Sequence, residues 1–122
     1  MANFLLADDD KFIEKIIRFK LEKEGHTLDY AVNGEEALNK LTQGSKKYDI
    51  IILDIMMPVC DGLYTLKKIR EINEFKNTPI IILSTKNREE DIILAYELGA
   101  TEYIIKPFSP YEFYVKIKKY LT

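Results

Sequence analysis

The chain has 122 residues, of which 47% are apolar and 31% charged, with 18 basic against 20 acidic side chains. This is the size and composition of one globular domain with a real core, and it excludes a disordered tail or a basic nucleic-acid module. One cysteine, Cys60, cannot close an internal disulfide, which fits a reducing cytoplasm, and no apolar run approaches the ~18 residues of a membrane span.

Short apolar segments alternate with longer amphipathic ones along the chain. Phe4–Ala7 reads as a first strand, ending in Asp8, Asp9 and Asp10. A helix follows, with Phe12, Ile13, Ile16, Ile17, Phe19 and Leu21 predicting a broad apolar face and Gly25 closing it. Leu28–Val32 is a second strand, mixed with Asp29 as a sheet edge allows. Asn33 and Glu36 have the spacing of an N-cap and its reciprocal acid, and Gly44 closes that helix. Ile50–Leu53 and Ile80–Leu83 are unbroken apolar runs, which predict strands covered on both faces in a parallel sheet. Asn87 and Glu90 suggest the cap of a fourth helix that ends at Gly99. Tyr103–Ile105 is the fifth strand, and Ser109, Pro110 and Glu112 open the last helix. Along it, Phe113, Ile117 and Leu121 are spaced to face the core.

Five strand–helix repeats imply an α/β fold, doubly wound, with helices on both faces of a parallel sheet. Sites in such sheets form beyond the carboxyl ends of the strands, where strand order reverses. Those ends carry Asp8, Asp9 and Asp10, then Asp54, then Ser84 and Thr85, then Lys106 and Pro107. Asp10 has the place of a helix cap. If strands one and three are neighbours, Asp8, Asp9 and Asp54 share one cleft. Carboxylates about 5 Å apart repel by roughly 3 kcal/mol at an effective dielectric near 20, so the cluster calls for Lys106 and a hard divalent cation such as magnesium. That combination suits phosphoryl transfer to a carboxylate, with Ser84 donating to a phosphate oxygen.

The segments Leu5–Asp10, Leu53–Pro58 with Asp61 and Gly62, Pro79–Ser84, Leu98–Ala100 and Tyr103–Phe108 together resemble the response-regulator receiver domain of two-component signalling. The resemblance covers Asn3 to Leu121, so residues 1–122 are expected to be one receiver domain. It implies a flavodoxin-like five-stranded parallel sheet in the order 2-1-3-4-5. It also implies that Asp54 takes a phosphoryl group from a histidine of a sensor kinase or phosphotransfer protein. Asp8, Asp9, Asp54 and the Met56 carbonyl would hold Mg2+, and Ser84 and Lys106 would bind the aspartyl phosphate. Tyr103 would be the switch aromatic, turning inward as Ser84 moves, and the Lys106–Pro107 bond would be cis. The output would be read on the face of helix four, strand five and helix five by a downstream effector domain or protein. A dimer dependent on phosphorylation stays open, direct contact with nucleic acid or membrane is not expected, and the implied location is the cytoplasm.

Some positions depart from the family's pattern. Thr85 replaces a smaller residue beside the phosphoryl site, which predicts slower loss of phosphate. Ile92, Leu98 and Thr101 stand where charged dimer partners are usual, although Glu112 and Lys116 fit two such places. Tyr111, Tyr114 and Lys118 lie on another stripe, which reads either as scattered surface aromatics or as a partner patch. Cys60 is assigned to packing, and His26, with no second histidine, is not expected to bind a metal. The rival reading from the enzyme class is a small phosphatase of the haloacid-dehalogenase type that would use Asp8. It leaves Asp54 unexplained and lacks room for a cap. A flavin carrier would need a glycine- and hydroxyl-rich loop where three aspartates stand.

Overall fold

A computed structural model describes residues 1–44, 46–57 and 61–121. The elements alternate as expected: β1 (Asn3–Ala7), α1 (Lys11–Lys23), β2 (Thr27–Ala31), α2 (Gly34–Gln43), β3 (Ile50–Asp54), α3 (Gly62–Arg70), β4 (Ile80–Ser84), α4 (Glu89–Glu97), β5 (Glu102–Ile105) and α5 (Pro110–Lys118), with a 3-10 turn at Asn73–Phe75. All strands pair in parallel, in the order β2-β1-β3-β4-β5. The chain therefore reverses its direction of growth at β1 and β3, and the ends of these two strands face one crevice.

Strand periodicity divides the core into two layers. Leu5, Ala7, Ile51, Leu53, Ile80, Ile82 and Tyr103 point to the side covered by α2, α3 and α4. Phe4, Leu6, Ile50, Ile52, Ile81, Leu83 and Ile104 point to the side covered by α1 and α5. Every residue of Ile50–Leu53 and Ile80–Leu83 is fully buried, as an apolar run with no solvent face requires. Each of these side chains contributes about 1.5–3 kcal/mol of hydrophobic burial, and together they fix the register that sets the strand ends.

Helix starts follow local chemistry. Asp10, Asn33, Asp61 and Ser109 each accept a backbone N–H of the following turn. Asn87 does not: the cap of α4 is Arg88, without a side-chain bond, because the helix begins at Glu89. Three acids in that first turn complement the helix dipole instead. Gly25 and Gly99 do adopt left-handed backbone, with φ of 87° and 112°, whereas Gly44 is extended at φ −90°. At Gly62 a Cβ would stand 2.7 Å from the Ile55 Cα, so only glycine lets α3 start this close to the end of β3.

Two amphipathic readings are narrower in the structure. In α1 only Ile17 and Leu21 are buried, while Phe12 and Phe19 are 69% and 70% exposed. A helix on a flat sheet buries one stripe, and those two rings lie outside it. Ile92 and Leu98 pack partly against the core, and the Thr101 hydroxyl serves Ile80 N and Arg70, so these positions are inward-facing and structural. Phe113 and Ile117 are buried as expected, with Leu121 packed at the margin.

Arg70 closes the far end of this layer. Its guanidinium donates to the carbonyls of Gly99, Phe75 and Thr78 at 2.9, 2.8 and 2.7 Å and to the Thr101 hydroxyl at 3.2 Å. It faces no carboxylate among the described residues, and burial lowers its pKa. One side chain thus ties α3, the turn before β4 and the loop before β5.

Candidate functional site

The register brings the strand ends together. Ala7 pairs with Leu53 and Asp54 with Leu83, so Asp8, Asp54 and Ser84 follow in adjacent strands. Single carboxylate oxygens of Asp8, Asp9 and Asp54 all lie within 4.8 Å of one another. Asp8 is fully buried, Asp54 is 5% exposed, and Asp9 faces solvent. The acids predicted to converge from two distant stretches of sequence do converge.

Lys106 stands between the two buried acids. Its Nζ donates to Asp8 Oδ2 at 3.0 Å and lies 3.6 Å from Asp54 Oδ2. Its own backbone N–H donates to the Ser84 carbonyl at 2.8 Å, which locks the end of β5 to the end of β4, and the Lys106–Pro107 bond is cis. Asp8 Oδ1 accepts the Asp10 N–H at 2.9 Å, so both oxygens of Asp8 are engaged. Among the described residues Asp54 is less satisfied: Oδ1 accepts a long bond, 3.3 Å, from the Met56 N–H. Burial pushes the Asp54 carboxyl up to about 6; Asp8 pushes the same way, Lys106 and the Met56 amide oppose, and Asp9 adds a smaller push.

Three carboxylates against one ammonium leave the ionised cluster two charges short of neutrality. Pairs at this separation repel by roughly 3 kcal/mol at an effective dielectric near 20. The donor set is all hard oxygen, one acid is open to solvent, and the deficit equals the charge of one divalent cation. These residues fit Mg2+, which keeps several waters and takes few protein ligands. Met56 begins the loop after β3 and is 55% exposed. Thr85, also exposed, places its hydroxyl 3.8 Å from the Met56 sulfur, across the mouth of the cleft. Pro58 and Cys60 lie outside the described residues, so the packing role expected for Cys60 is not addressed.

Ser84 is fully buried and its Oγ accepts the Lys86 N–H at 2.9 Å. Tyr103, the expected switch aromatic, is inward in this structure. Its ring is 8% exposed, with the hydroxyl donating to the Lys86 carbonyl at 2.8 Å. The apolar body of the ring packs in the layer under α4, and the carbonyl satisfies its polar tip. The expected stripe on α5 also changes: Tyr114 is half-buried and bonded to His26, leaving Tyr111, 71% exposed, as the free aromatic there.

Two contributors were invisible in the sequence. In β2 the Tyr30 hydroxyl is buried with no hydrogen-bond partner among the described residues. Burial and then Asp8, Glu14, Asp9 and Asp10 raise its pKa, which keeps it a neutral phenol. The Lys86 peptide unit, which joins Ser84 to Tyr103, acts through its backbone and so leaves no residue-type signal.

Comparison with known proteins agrees with this geometry. The family model described as the response regulator receiver domain matches residues 4–118. The chain is 41% identical over 120 residues to the transcriptional regulatory protein ResD of Bacillus subtilis, covering 98% of this chain and 48% of that protein. It is 42% identical over 117 residues to the response regulator GtcR of Aneurinibacillus migulanus, covering 96% and 46%. It therefore spans about half the length of the curated relatives it matches. Among solved structures, the chemotaxis protein CheY4 of Vibrio cholerae superposes with a TM-score of 0.92 at 32% identity, over 99% of both chains. Five parallel strands in the same order, an acid cluster at the switch point and a family match over nearly its whole length place the chain in the response regulator receiver domain family of two-component signalling.

Proposed function

We propose that Asp54 is a phosphoacceptor, charged from a phosphohistidine of a sensor kinase or histidine phosphotransfer protein, and that residues 1–122 act as one receiver. A carboxylate oxygen of Asp54 attacks phosphorus, the P–N bond to the donor imidazole breaks, and the imidazole leaves as its neutral, protonated form. Hydrolysis of the resulting acyl phosphate returns the carboxylate and inorganic phosphate. The domain is thus a signalling acceptor that consumes one phosphoryl group per cycle, not a turnover enzyme.

The observation that carries this reading is the asymmetry between the two buried acids. Asp8 has both oxygens occupied, by Lys106 and the Asp10 amide, which suits a fixed ligand. Among the described residues Asp54 accepts one long bond, and burial raises its pKa to about 6, which suits the group that reacts. Mg2+ would be held by Asp8, Asp9, Asp54 and the Met56 carbonyl, and when bound it supplies charge neutralisation for the phosphoryl oxygens. Lys106 supplies a second positive group, and the buried Ser84 hydroxyl, which accepts from Lys86 and is hydrogen-bonded to the Tyr103 hydroxyl, would turn its proton from Tyr103 to a phosphoryl oxygen. No observation favours the phosphatase alternative through Asp8.

Output is proposed to pass through α4, β5 and α5 to an effector domain or protein, in keeping with relatives about twice as long, one of them named a transcriptional regulator. A dimer dependent on phosphorylation and a cytoplasmic location belong to the same proposal. Among the described residues no helix is long and apolar enough to cross a membrane. The test is intact-mass measurement after incubation with Mg2+ and a small phosphodonor such as acetyl phosphate. The parent should gain one phosphoryl mass and Asp54→Asn none; a gain that persists in Asp54→Asn refutes the assignment.

A further inference from the structure

The end of the sheet opposite the acid cluster holds the chain's one histidine. His26 lies between Gly25 and the start of β2. Its Nδ1 accepts the Ala2 backbone N–H at 3.0 Å, and its Nε2 is 2.9 Å from the Tyr114 hydroxyl. A backbone N–H can only donate, so Nδ1 carries no proton. The neutral ring then holds its proton on Nε2 and donates it to Tyr114. The imidazole stands against the Phe4 and Tyr114 rings, with centroids at 5.4 and 6.0 Å. Lys20 of α1 places its Nζ 5.3 Å from the Tyr114 ring centroid. One side chain therefore joins the start of β1 to α5 and, through Tyr114, to α1.

We propose that His26 is a proton-operated latch: neutral, it binds the start of β1 to α5, and protonated, it keeps its bond to α5 while releasing the Ala2 amide.

The asymmetry follows from the donor inventory. A second proton must enter at Nδ1, where it meets the Ala2 N–H, donor against donor. The Nε2–H remains a donor to Tyr114 and becomes charge-assisted. Ala2 is buried against the ring, so relief of the donor–donor contact requires the first residues of β1 to shift or water from the adjoining cavity, which Ala2 and His26 both line, to enter between them. Burial opposes the charged ring most strongly, followed by the Met1 amine; Glu24 at the end of α1 and Asp49 before β3 favour it. Lys20 stands beyond Tyr114, and Tyr120 with Asp49 lines the cavity of about 340 Å3 beside the ring. The balance is downward from 6.5. With the folded value below the unfolded one, the unfolded chain takes the proton first as pH falls. The latch thus stabilises the fold fully above 6.5, and its contribution is lost as pH drops from there toward the folded value.

The latch is far from Asp54 in the fold and can be read independently. In the full chain, the His26 ring signal and the Ala2 amide should follow one NMR titration curve with a midpoint below 6.5. His26→Gln offers an acceptor and a donor that do not titrate. Its melting temperature relative to the parent should rise steadily between about pH 7.5 and about pH 5.5. Using the difference removes acid groups common to both proteins. A midpoint at or above 6.5, an Ala2 amide indifferent to the His26 titration, or a pH-independent difference in melting temperature overturns the proposal. Should the variant not fold, the titration of the parent decides alone.

Discussion

Replacing Asp54 by asparagine should stabilise the metal-free protein, because the buried carboxylate is held against its preference. Its pKa rises from 3.8 to about 6, driven by burial first and by Asp8 second. At pH 7 the unfolded chain gains more from ionising this group than the folded chain does. The linkage between those two values gives about 3 kcal/mol of destabilisation at pH 7. The sign follows from proton uptake: between 3.8 and about 6 the folded state binds more protons, so stability is lost as pH rises through this window. Below 3.8 both states are protonated and the penalty vanishes; above about 6 it is complete. Asparagine keeps a carbonyl for the Met56 N–H, and Lys106 keeps Asp8. For a domain of this size, 2–3 kcal/mol corresponds to roughly 8–12 °C in melting temperature. Melts of parent and Asp54→Asn in chelator across a pH series should show a gap that opens above pH 4 and reaches a plateau above about pH 7. Adding Mg2+ should narrow it, since the cation favours the charged parent. An asparagine variant no more stable than the parent at the plateau would refute the electrostatic reasoning.

Thr85→Ala should lose its phosphoryl group faster than the parent, roughly threefold, equal to about 0.7 kcal/mol in barrier. The threonine hydroxyl reaches the Met56 sulfur across the cleft mouth, and the rate is read by intact mass against time after donor removal. Arg70→Met should cost about 2–4 kcal/mol in urea denaturation, because the Gly99, Phe75 and Thr78 carbonyls lose a charged donor together. Loss below about 0.5 kcal/mol would mean water replaces the guanidinium without cost.

Sheet composition made the architecture legible. Ile50–Leu53 and Ile80–Leu83 could only be strands covered on both sides, and parallel strands deliver their ends to one edge. That edge singled out Asp8, Asp54, Ser84 and Lys106 as candidates, and the structure brings Lys106 between Asp8 and Asp54 there; the roles proposed for them came from the family resemblance. Helix detail was less legible. The Phe12 and Phe19 side chains have the right chemistry for a core stripe but the wrong angle once α1 settles on the sheet. Asn87 is a good cap residue, yet a cap works only where the backbone turns helical, and that occurs at Glu89. Tyr114 looked like a surface aromatic because its partner, His26, is 88 residues away. The sharing of Lys106 by two acids and the inward Tyr103 depend on side-chain packing, which no periodicity encodes.

The inward Tyr103 leads to a specific prediction for the proposed switch. The backbone of Lys86 is held on both sides, its N–H by the Ser84 oxygen and its carbonyl by the Tyr103 hydroxyl. A hydroxyl has one proton to donate and two acceptor positions, so Ser84 can give its proton to a phosphoryl oxygen without surrendering Lys86. On the proposed reading, phosphorylation at Asp54 adds nearly two negative charges beside Lys106, and the prediction is that the ring keeps its inward place as Ser84 turns to the phosphoryl group. The expected work of the proposed switch is then to tighten the β4–α4 connection around Lys86, with little ring rotation. Hydrogen exchange at Lys86 and neighbouring amides should slow when the parent is loaded with Mg2+ and beryllofluoride, while contacts between the Tyr103 ring and α4 persist in NMR. Tyr103→Phe should lose about 1 kcal/mol of stability and most of that added protection, with unchanged Mg2+ affinity. A Tyr103 ring that is solvent-exposed before loading and enters only afterwards would sink the argument.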